Sequence, residues 1–209
     1  MKICVFGADG RTGVEVVNYG VRQGFEVVAF VYNDNSNKYF PDSVVIKKGD
    51  VMDYENVLDV IKGTDAVVSV LGHIKDSFPL MQTNGMVNIV RAMKEQGINR
   101  VLSLTGTGVR VEGDIPSLID KILNFFVKLI DPNRVNDGVL HVQVLQDSGL
   151  DFTVVRVLKL GKGDKEFIDY KLTNGGPAEW ESSRKKVAKV LVDLINDKKY
   201  IGKLPIISG

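Results

Sequence analysis

The chain has 209 residues, 44% of them hydrophobic and 25% charged, which suffices for one well-buried domain. Its 27 lysines and arginines against 26 aspartates and glutamates give a formal net charge of +1, so composition offers no electrostatic argument for a nucleic-acid or anionic membrane partner. A single cysteine, Cys4, excludes an intrachain disulfide, and no stretch approaches the ~20 uninterrupted apolar residues of a membrane span. We therefore expect a soluble cytoplasmic protein.

The N-terminal stretch predicts a strand, a tight turn and the start of a helix. Apolar residues 3–6 form the strand, and Gly7, Gly10 and Gly13 follow it. Gly7 allows a sharp exit from the strand, Gly10 a close approach to a phosphate, and Gly13 tight packing of helix on strand. This spacing differs from the commonest G-x-G-x-x-G, but its place between a strand and a helix predicts a pyrophosphate-binding turn. The alternative is a plain glycine loop.

Strands and helices then alternate through the first half of the chain. Predicted strands cover 26–31, 44–48, 66–71 and 100–104; predicted helices start at Val14, Tyr54 and Met81 and stop at Gly24, Gly63 and Gly97; residues 32–43 form a loop. Parallel strands covered on both faces are nearly continuous in apolar residues, as 26–31 is. This alternation predicts an α/β fold with a doubly wound parallel sheet and right-handed crossovers.

The alternation breaks after residue 108. Residues 115–130 predict a helix that is apolar over most of its surface and must be covered. It is either a wall of a substrate pocket or a packing or oligomer surface. The later elements are a helix capped by Asp137 and ending at Gln146, a strand at 152–157, a loop-rich region at 158–181, a helix capped by Ser182 or Ser183, and a strand at 204–207.

Five stretches together resemble the atypical short-chain dehydrogenase/reductases, within them the NmrA-like and biliverdin IX-beta/flavin reductase group. They are GADGRTG at 7–13, GDV at 49–51, VLG at 70–72, SGLDFTVVR at 148–156 and SSRKKVA at 182–188. The resemblance spans essentially the whole chain. It implies a single Rossmann domain over 1–209, with a small C-terminal substrate-side portion and substrate-side insertions at 110–132 and 158–181.

The same resemblance implies the cofactor contacts. The pyrophosphate would lie against Gly7, Asp9, Gly10, Arg11, Thr12 and Gly13. Asp50 and Val51 would contact the adenine, and Leu71, Gly72 and His73 would line the nicotinamide ribose. This agrees with the rule that ligands of such sheets bind beyond the carboxyl ends of the strands.

The choice between NADP and NAD depends on the end of the second strand, where the sequence reads Tyr32, Asn33 and Asp34. An arginine there favours the 2′-phosphate of NADP, whereas an acidic residue favours the ribose hydroxyl of NAD. The reductases that this chain resembles carry arginine in place of Tyr32. Arg11 and Lys38 could still supply positive charge, so the resemblance favours NADP, with NAD as the alternative.

Catalytic residues are harder to assign. The Tyr-x-x-x-Lys pair of typical short-chain dehydrogenases, in which lysine lowers the tyrosine pKa, is absent from the sequence. Gly106 stands where the resembling reductases have serine, so the flanking Thr105 and Thr107 are the only weak candidates, and they could equally close a strand-end turn. Two histidines and one cysteine are too few to predict a metal site.

Three further polar groups have two interpretations each. Arg156 either orients the backbone that closes the cofactor site or forms a structural ion pair. Residues 184–186, all basic, either bind an anion or form a solvated face at a helix start. His141 is expected to be structural or exposed.

These features predict a reductase that transfers a hydride from NADP(H) or NAD(H) to a planar conjugated acceptor such as a flavin, quinone or tetrapyrrole. Such an acceptor can take its proton from water, so the missing pair does not exclude an enzyme. The expected partner is this small molecule, with no nucleic acid and no membrane, in a monomer or homodimer. The alternative is an NmrA-like regulator that binds the dinucleotide without chemistry; a nucleotide-sugar epimerase or dehydratase is disfavoured by the missing pair.

Overall fold

The computed structural model describes residues 1–32, 39–72, 78–161 and 169–208. Within them lie the strands β1 (Lys2–Phe6), β2 (Glu26–Val31), β3 (Val45–Lys48), β4 (Ala66–Ser69), β5 (Arg100–Gly106), β6 (Asp151–Val157), β7 (Leu160–Gly161), β8 (Lys171–Thr173), β9 (Ser182–Ser183) and β10 (Ile206–Ser208). The helices are α1 (Arg11–Arg22), α2 (Tyr54–Ile61), α3 (Met81–Gln96), α4 (Leu118–Ile130), α5 (Pro132–Gln146) and α6 (Arg184–Asp193).

One eight-stranded sheet organises the domain, in the order β3-β2-β1-β4-β5-β6-β10-β8. The pairs from β3 to β10 are parallel, and only β8, at the edge, pairs antiparallel. Ile3 in β1 is in register with Val27 in β2 and Ala66 in β4, so these strands end at one edge. The predicted doubly wound Rossmann fold is confirmed. A separate pair, β7 and β9, lies outside the main sheet.

Helices cover both faces of the sheet. Ile3 and Val5 of β1 belong to a core shared with α1 and α6, whereas Cys4 and Phe6 belong to a core shared with α2, α3 and α5. All four side chains are fully buried. Because successive strand residues point to opposite faces, a strand buried on both must be apolar throughout, as the sequence indicated.

Polar side chains fix where most helices begin. Asp53 caps α2, Ser117 caps α4, Asp131 caps α5 and Ser183 caps α6, each accepting from an amide of the first turn. Ser183 therefore fills the role that the sequence left open between two serines. Gly97, with φ of 69°, ends α3 as predicted.

The predicted start of the fifth helix is wrong. The sequence predicted Asp137 as the cap, whereas α5 begins at Pro132 with Asp131 as its cap. Proline suits the first turn of a helix, and the Asp131 carboxylate accepts from the Arg134 amide. Asp137 is instead buried inside α5. The last strand is also shorter than predicted, since β10 begins at Ile206.

The fourth helix was expected to be covered, and the described part of the chain leaves its apolar side exposed. Its only buried side chain is Asp120, and it packs on α5. Phe125 is 65% exposed and Ile130 80% exposed.

Among the described helices, none is both long and apolar enough to cross a membrane.

Candidate functional site

The glycine turn lies at the carboxyl end of β1, pressed against the end of β4. Gly7 has φ of 73°, and a Cβ there would meet the backbone oxygen of Val70 at 3.1 Å. A Cβ on Gly13 would overlap the Gly7 carbonyl and lie 2.7 Å from Ala8 Cα. Only glycine fits at these two positions, as the motif predicts.

The first turn of α1 differs from that of the other five helices. Gly10 at its N-cap has no side chain, and no side chain among the described residues accepts from the amides of Arg11, Thr12 or Gly13. No acidic residue lies in that turn. Asp137 accepts from the first-turn amides of α3, and the remaining four helices have their own caps. The start of α1 can therefore receive an anion, which fits a pyrophosphate.

The ends of β1 and β2 are joined beside this turn. The Asp9 carboxylate accepts a hydrogen bond from the Tyr32 amide at 3.2 Å. Its negative charge is thus directed to the end of β2. The Tyr32 side chain is 60% exposed. The other predicted contacts here, Asn33 together with Asp34 and Lys38, lie outside the described residues.

The ends of β3 and β4 approach each other across α3. A Cβ on Gly85 would lie 2.9 Å from Val51 and 3.3 Å from Leu71, so both side chains contact this part of α3. The Leu71 carbonyl accepts from the Gln82 side chain at 3.0 Å. The Asp50 carboxylate closes its own turn by accepting from the Met52 amide at 2.9 Å.

Predicted site residues from four strand ends thus meet at one edge, as the resemblance implies. Gly72 is part of this edge, directly after Leu71. The predicted contact His73 lies outside the described residues.

The two threonines at the end of β5, Thr105 within the strand and Thr107 directly after it, have different surroundings. Thr107 is 1% exposed; its hydroxyl donates to the buried Asp120 at 3.1 Å and accepts from the Asn124 amide at 3.1 Å. Thr105 points under α5, where a Cβ on Gly138 would lie 3.2 Å from its Oγ1. Gly106 between them is exposed, with no atom closer than 3.9 Å to a Cβ placed there. Both threonines stay predictions as catalytic residues, and the single Thr107 proton is already donated.

Sequence reasoning missed the network around Asp120. Arg110 donates to both of its oxygens, at 2.6 and 3.1 Å, and Asn124 donates to it as well. These bonds attach the inner side of α4 to the loop that follows β5. A single carboxylate in a mostly apolar helix, with an asparagine four positions later, is the signal that could have revealed it.

The same loop is fixed to β6 by a buried ion pair. Arg156, fully buried, donates to Asp114 at 2.5 and 2.8 Å and to the carbonyls of Val109 and Leu204. Burial by itself raises the pKa of Asp114, but its hydrogen bonds from Arg156 and Val111 outweigh this and lower the pKa. Of the two interpretations of Arg156, the structural ion pair is confirmed.

His141 is buried against β5. Its Nδ1 lies 2.9 Å from the Gly138 carbonyl, which can only accept, so Nδ1 carries the proton and Nε2 accepts from the Ser103 hydroxyl at 3.1 Å. Burial lowers the pKa of His141 to about 4, against smaller opposite effects of Gly138 and Asp137. The ring is neutral and structural, one of the two roles expected for it.

A tyrosine–lysine contact exists, but far from the strand ends. Lys189 donates to the Tyr19 hydroxyl at 3.2 Å, and both bond Asp193. Tyr19 lies in the last turns of α1, which leads into the amino end of β2. Burial and the neighbouring Asp193 raise the pKa of Tyr170, which also bonds Asp193, whereas a catalytic tyrosine needs a lowered pKa.

Positive charge gathers beside the glycine turn. Arg184, the first residue of α6, donates to the Gly161 carbonyl at 2.6 Å, and α6 packs on α1. Burial and the positive charge of nearby Arg11 lower the pKa of Arg184, against a smaller effect of Glu181. Lys186 is paired with Glu179 at 2.6 Å, so the three basic residues do not form one solvated face.

A doubly wound parallel sheet with a close-packed glycine turn and an open helix start defines the dinucleotide-binding α/β class of proteins. Residues 7–198 match a family described as NAD(P)H-binding, and the chain belongs to that family.

Known proteins resemble this chain in part of its sequence or in its fold. The Zea mays isoflavone reductase homolog IRL is 33% identical over 105 residues, which cover 46% of this chain and 32% of that protein. The chain thus matches about a third of the length of that curated relative. The structure of ChuY, an anaerobillin reductase from Escherichia coli O157:H7, has a TM-score of 0.81 at 17% identity over 100% of this chain and 97% of that one. A wide-type short-chain dehydrogenase/reductase from Veillonella parvula, in complex with NADP, has a TM-score of 0.80 at 16% identity, covering 100% and 94%.

Proposed function

We propose that this protein is an NADPH-dependent reductase that transfers a hydride to a planar conjugated acceptor such as a flavin, a quinone or a tetrapyrrole. The observation that supports the dinucleotide part is the first turn of α1, whose amides, unlike those of the other helix starts, have no side-chain acceptor among the described residues. Two similar proteins are named reductases, which supports reduction as the reaction class.

The residues of the carboxyl edge would hold the cofactor. Arg11, Thr12 and Gly13 would present backbone amides to the pyrophosphate, with Gly7 and Gly10 letting the chain approach it closely. Asp50 and Val51 would contact the adenine, Tyr32 and Asn33 its ribose, and Leu71, Gly72 and His73 the nicotinamide ribose. When bound, the reduced nicotinamide supplies the hydride.

The preference for NADPH over NADH rests on charge. The Asp9 carboxylate, bonded to the Tyr32 amide, places negative charge at the end of β2 and acts against this preference. Burial and then the positive charge of nearby Arg11 lower the pKa of Arg184, so two guanidinium groups lie close together. A dianionic 2′-phosphate would relieve the repulsion between two guanidinium groups. NAD is the alternative cofactor.

The choice of a conjugated acceptor rests on the end of β5. The Thr107 hydroxyl already donates its proton to Asp120, and residue 106 has no side chain. An acceptor that delocalises the incoming electron pair can take its proton from water and needs no protein acid. We place this acceptor between the segments 110–132 and 158–181, beyond the ends of β5 and β6.

The first test is calorimetric titration of the protein with NADPH and NADH side by side, together with the variants Arg11→Gln and Arg22→Gln. We expect tighter binding of NADPH, and a loss at Arg11→Gln that is larger for NADPH than for NADH. Arg22, at the opposite end of α1, is the matched control and should change neither affinity. Binding of neither nucleotide would refute the function proposed for the glycine turn.

The second test is oxidation of NADPH in the presence of FMN, menadione or biliverdin, followed by nicotinamide absorbance. Turnover above the uncatalysed rate with at least one acceptor is expected. Tight NADPH binding without turnover would instead favour the alternative, a dinucleotide-sensing regulator similar to NmrA-like proteins. The observation favouring that alternative is the same absence of a free hydroxyl at residues 106 and 107.

A further inference from the structure

The fourth helix is built with its polar side inward and its apolar side outward. Its inner side carries Asp120 and Asn124, which bond the loop after β5. Its outer side, with the residue before it, carries side chains that are 47–80% exposed: Ile115, Leu118, Ile119, Ile122, Phe125, Phe126, Leu129 and Ile130. We call this set the α4 face.

The α4 face is too large for an ordinary monomer surface. At roughly 150–200 Å² per complete large side chain, its exposed fractions amount to on the order of 900 Å² of mainly apolar surface. The largest patch on a typical monomer is about 300–600 Å². Each partner in a stable protein–protein interface contributes about 800 Å². The area therefore corresponds to one side of such an interface.

The spacing of the α4 face suits a facing helix. Leu118, Ile122, Phe125 and Leu129 alternate by four and three positions, the pattern of side chains that interlock across two packed helices. A two-fold axis needs only one self-complementary patch, so an antiparallel copy of α4 would bury these residues against the same set of residues in the copy, the start of one helix facing the end of the other.

Charge argues against a lipid surface as the occupant. The exposed charges of α4 are Lys121 and Lys128, which lie along one edge of the α4 face. Binding of anionic lipid by charge commonly uses clusters of about four to eight basic residues. With a formal net charge of +1, the chain as a whole adds little attraction. Two lysines at the rim of a protein interface can instead remain in water.

We propose that the α4 face binds the same face of a second copy of this chain, forming a two-fold symmetric dimer. The two α4 helices pack antiparallel at its centre. Because Asp120 and Asn124 bond Thr107, the helix that forms the dimer contact is attached to the end of β5 in each copy.

Sedimentation velocity of the full chain at micromolar concentration tests this. The wild-type protein should sediment with twice the 23.0 kDa mass of one chain, and Phe125→Glu should sediment as a monomer. Val87→Glu, on an exposed apolar residue of α3, is the matched control and should remain a dimer. A monomeric wild type, or a Phe125→Glu variant that stays dimeric, overturns the proposal.

Cross-linking provides a measurement that does not depend on Phe125→Glu folding. Cys4 is fully buried and burial raises its pKa, so a cysteine introduced on the surface is the only reactive thiol. Ile122→Cys or Phe125→Cys should form a disulfide-linked dimer under mild oxidation, whereas Val87→Cys should not. No cross-link at either position overturns the proposal, as does a monomer that co-sediments with phosphatidylglycerol vesicles, which would assign the α4 face to lipid.

Discussion

Asp137 and Thr83 connect two helices that lie on one face of the sheet. The Asp137 carboxylate, buried inside α5, accepts from the Thr83 amide at 2.8 Å and from its hydroxyl at 2.5 Å. It also accepts from the neighbouring Gln82 amide at 2.9 Å. One side chain therefore does for α3 what an N-cap residue does for its own helix, and Gln82 in turn bonds Leu71 at the candidate site.

Replacing this carboxylate should destabilise the fold. Asp137→Ala leaves two part-buried helix-start amides without their acceptor, while the Thr83 hydroxyl keeps the backbone carbonyl of residue 137, at a cost of about 2–3 kcal/mol in the free energy of unfolding. Urea denaturation measures it. Asp147→Ala is the control, since that exposed aspartate bonds only Gln143 through its side chain and should change the free energy by less than about 0.5 kcal/mol. Equal effects of the two substitutions would contradict the cross-helix cap.

The free energy of unfolding should fall between pH 6.5 and pH 4 because of His141. Its pKa in the fold is about 4, against 6.5 for an unburied histidine. Below pH 6.5 the unfolded chain binds a proton that the native ring does not, so the native state loses relative stability, up to about 3 kcal/mol. Below pH 4 this contribution changes no further.

The measurement is urea denaturation over that pH range, comparing wild type with His141→Gln. The difference between the two proteins isolates the His141 contribution from other titrating groups. The wild type should lose its advantage over the variant as the pH falls. A difference that stays constant from pH 7 to pH 4 would mean that the ring is not held neutral.

Two glycines of α1 should respond oppositely to alanine. Gly13→Ala places a Cβ against Gly7 and Ala8 backbone atoms, which cannot move without opening the turn. It should therefore weaken nucleotide binding at least tenfold and lower the melting temperature. Gly20→Ala meets only side-chain atoms of Ile3 and Val27 at 3.4 Å, and helix propensity gains up to about 1 kcal/mol. Calorimetry and thermal melting distinguish the two, and equal effects would contradict the close packing at Gly13.

Serine should be tolerated at position 106 but not at 108. A Cβ on Gly106 meets nothing closer than 3.9 Å, whereas one on Gly108 would lie 2.8 Å from Asn124 Oδ1. Gly106→Ser should melt within a few degrees of wild type, by contrast with Gly108→Ser, which displaces Asn124 and costs about 1–3 kcal/mol. If turnover is limited by protonation of the acceptor, Gly106→Ser should also raise it. Destabilisation by Gly106→Ser would contradict the open space around position 106.

The sequence by itself determined the sheet and the turn at its first strand. The local patterns are continuous apolar strands, helices at regular intervals and glycines at 7, 10 and 13. Each of them is compatible with one low-energy local structure. The order of elements then fixed which strand ends share an edge. For that reason the predicted positions of Gly7, Asp9, Tyr32, Val51 and Leu71 come together in the structure.

The tertiary structure alone decided what the polar side chains in the second half of the chain do. Asp137 could cap its own helix or another one, and Thr107 could donate its proton to a substrate or to another side chain of the protein. The hydrophobic periodicity of the sequence is the same for both alternatives. Periodicity likewise predicted the apolar stripe of α4 but not which way the stripe faces. Asp120 bonds Arg110 and Thr107 on the inner side of the helix, so the apolar stripe faces outward. A buried carboxylate must find donors, and which donors lie within reach depends on contacts between residues distant in the chain.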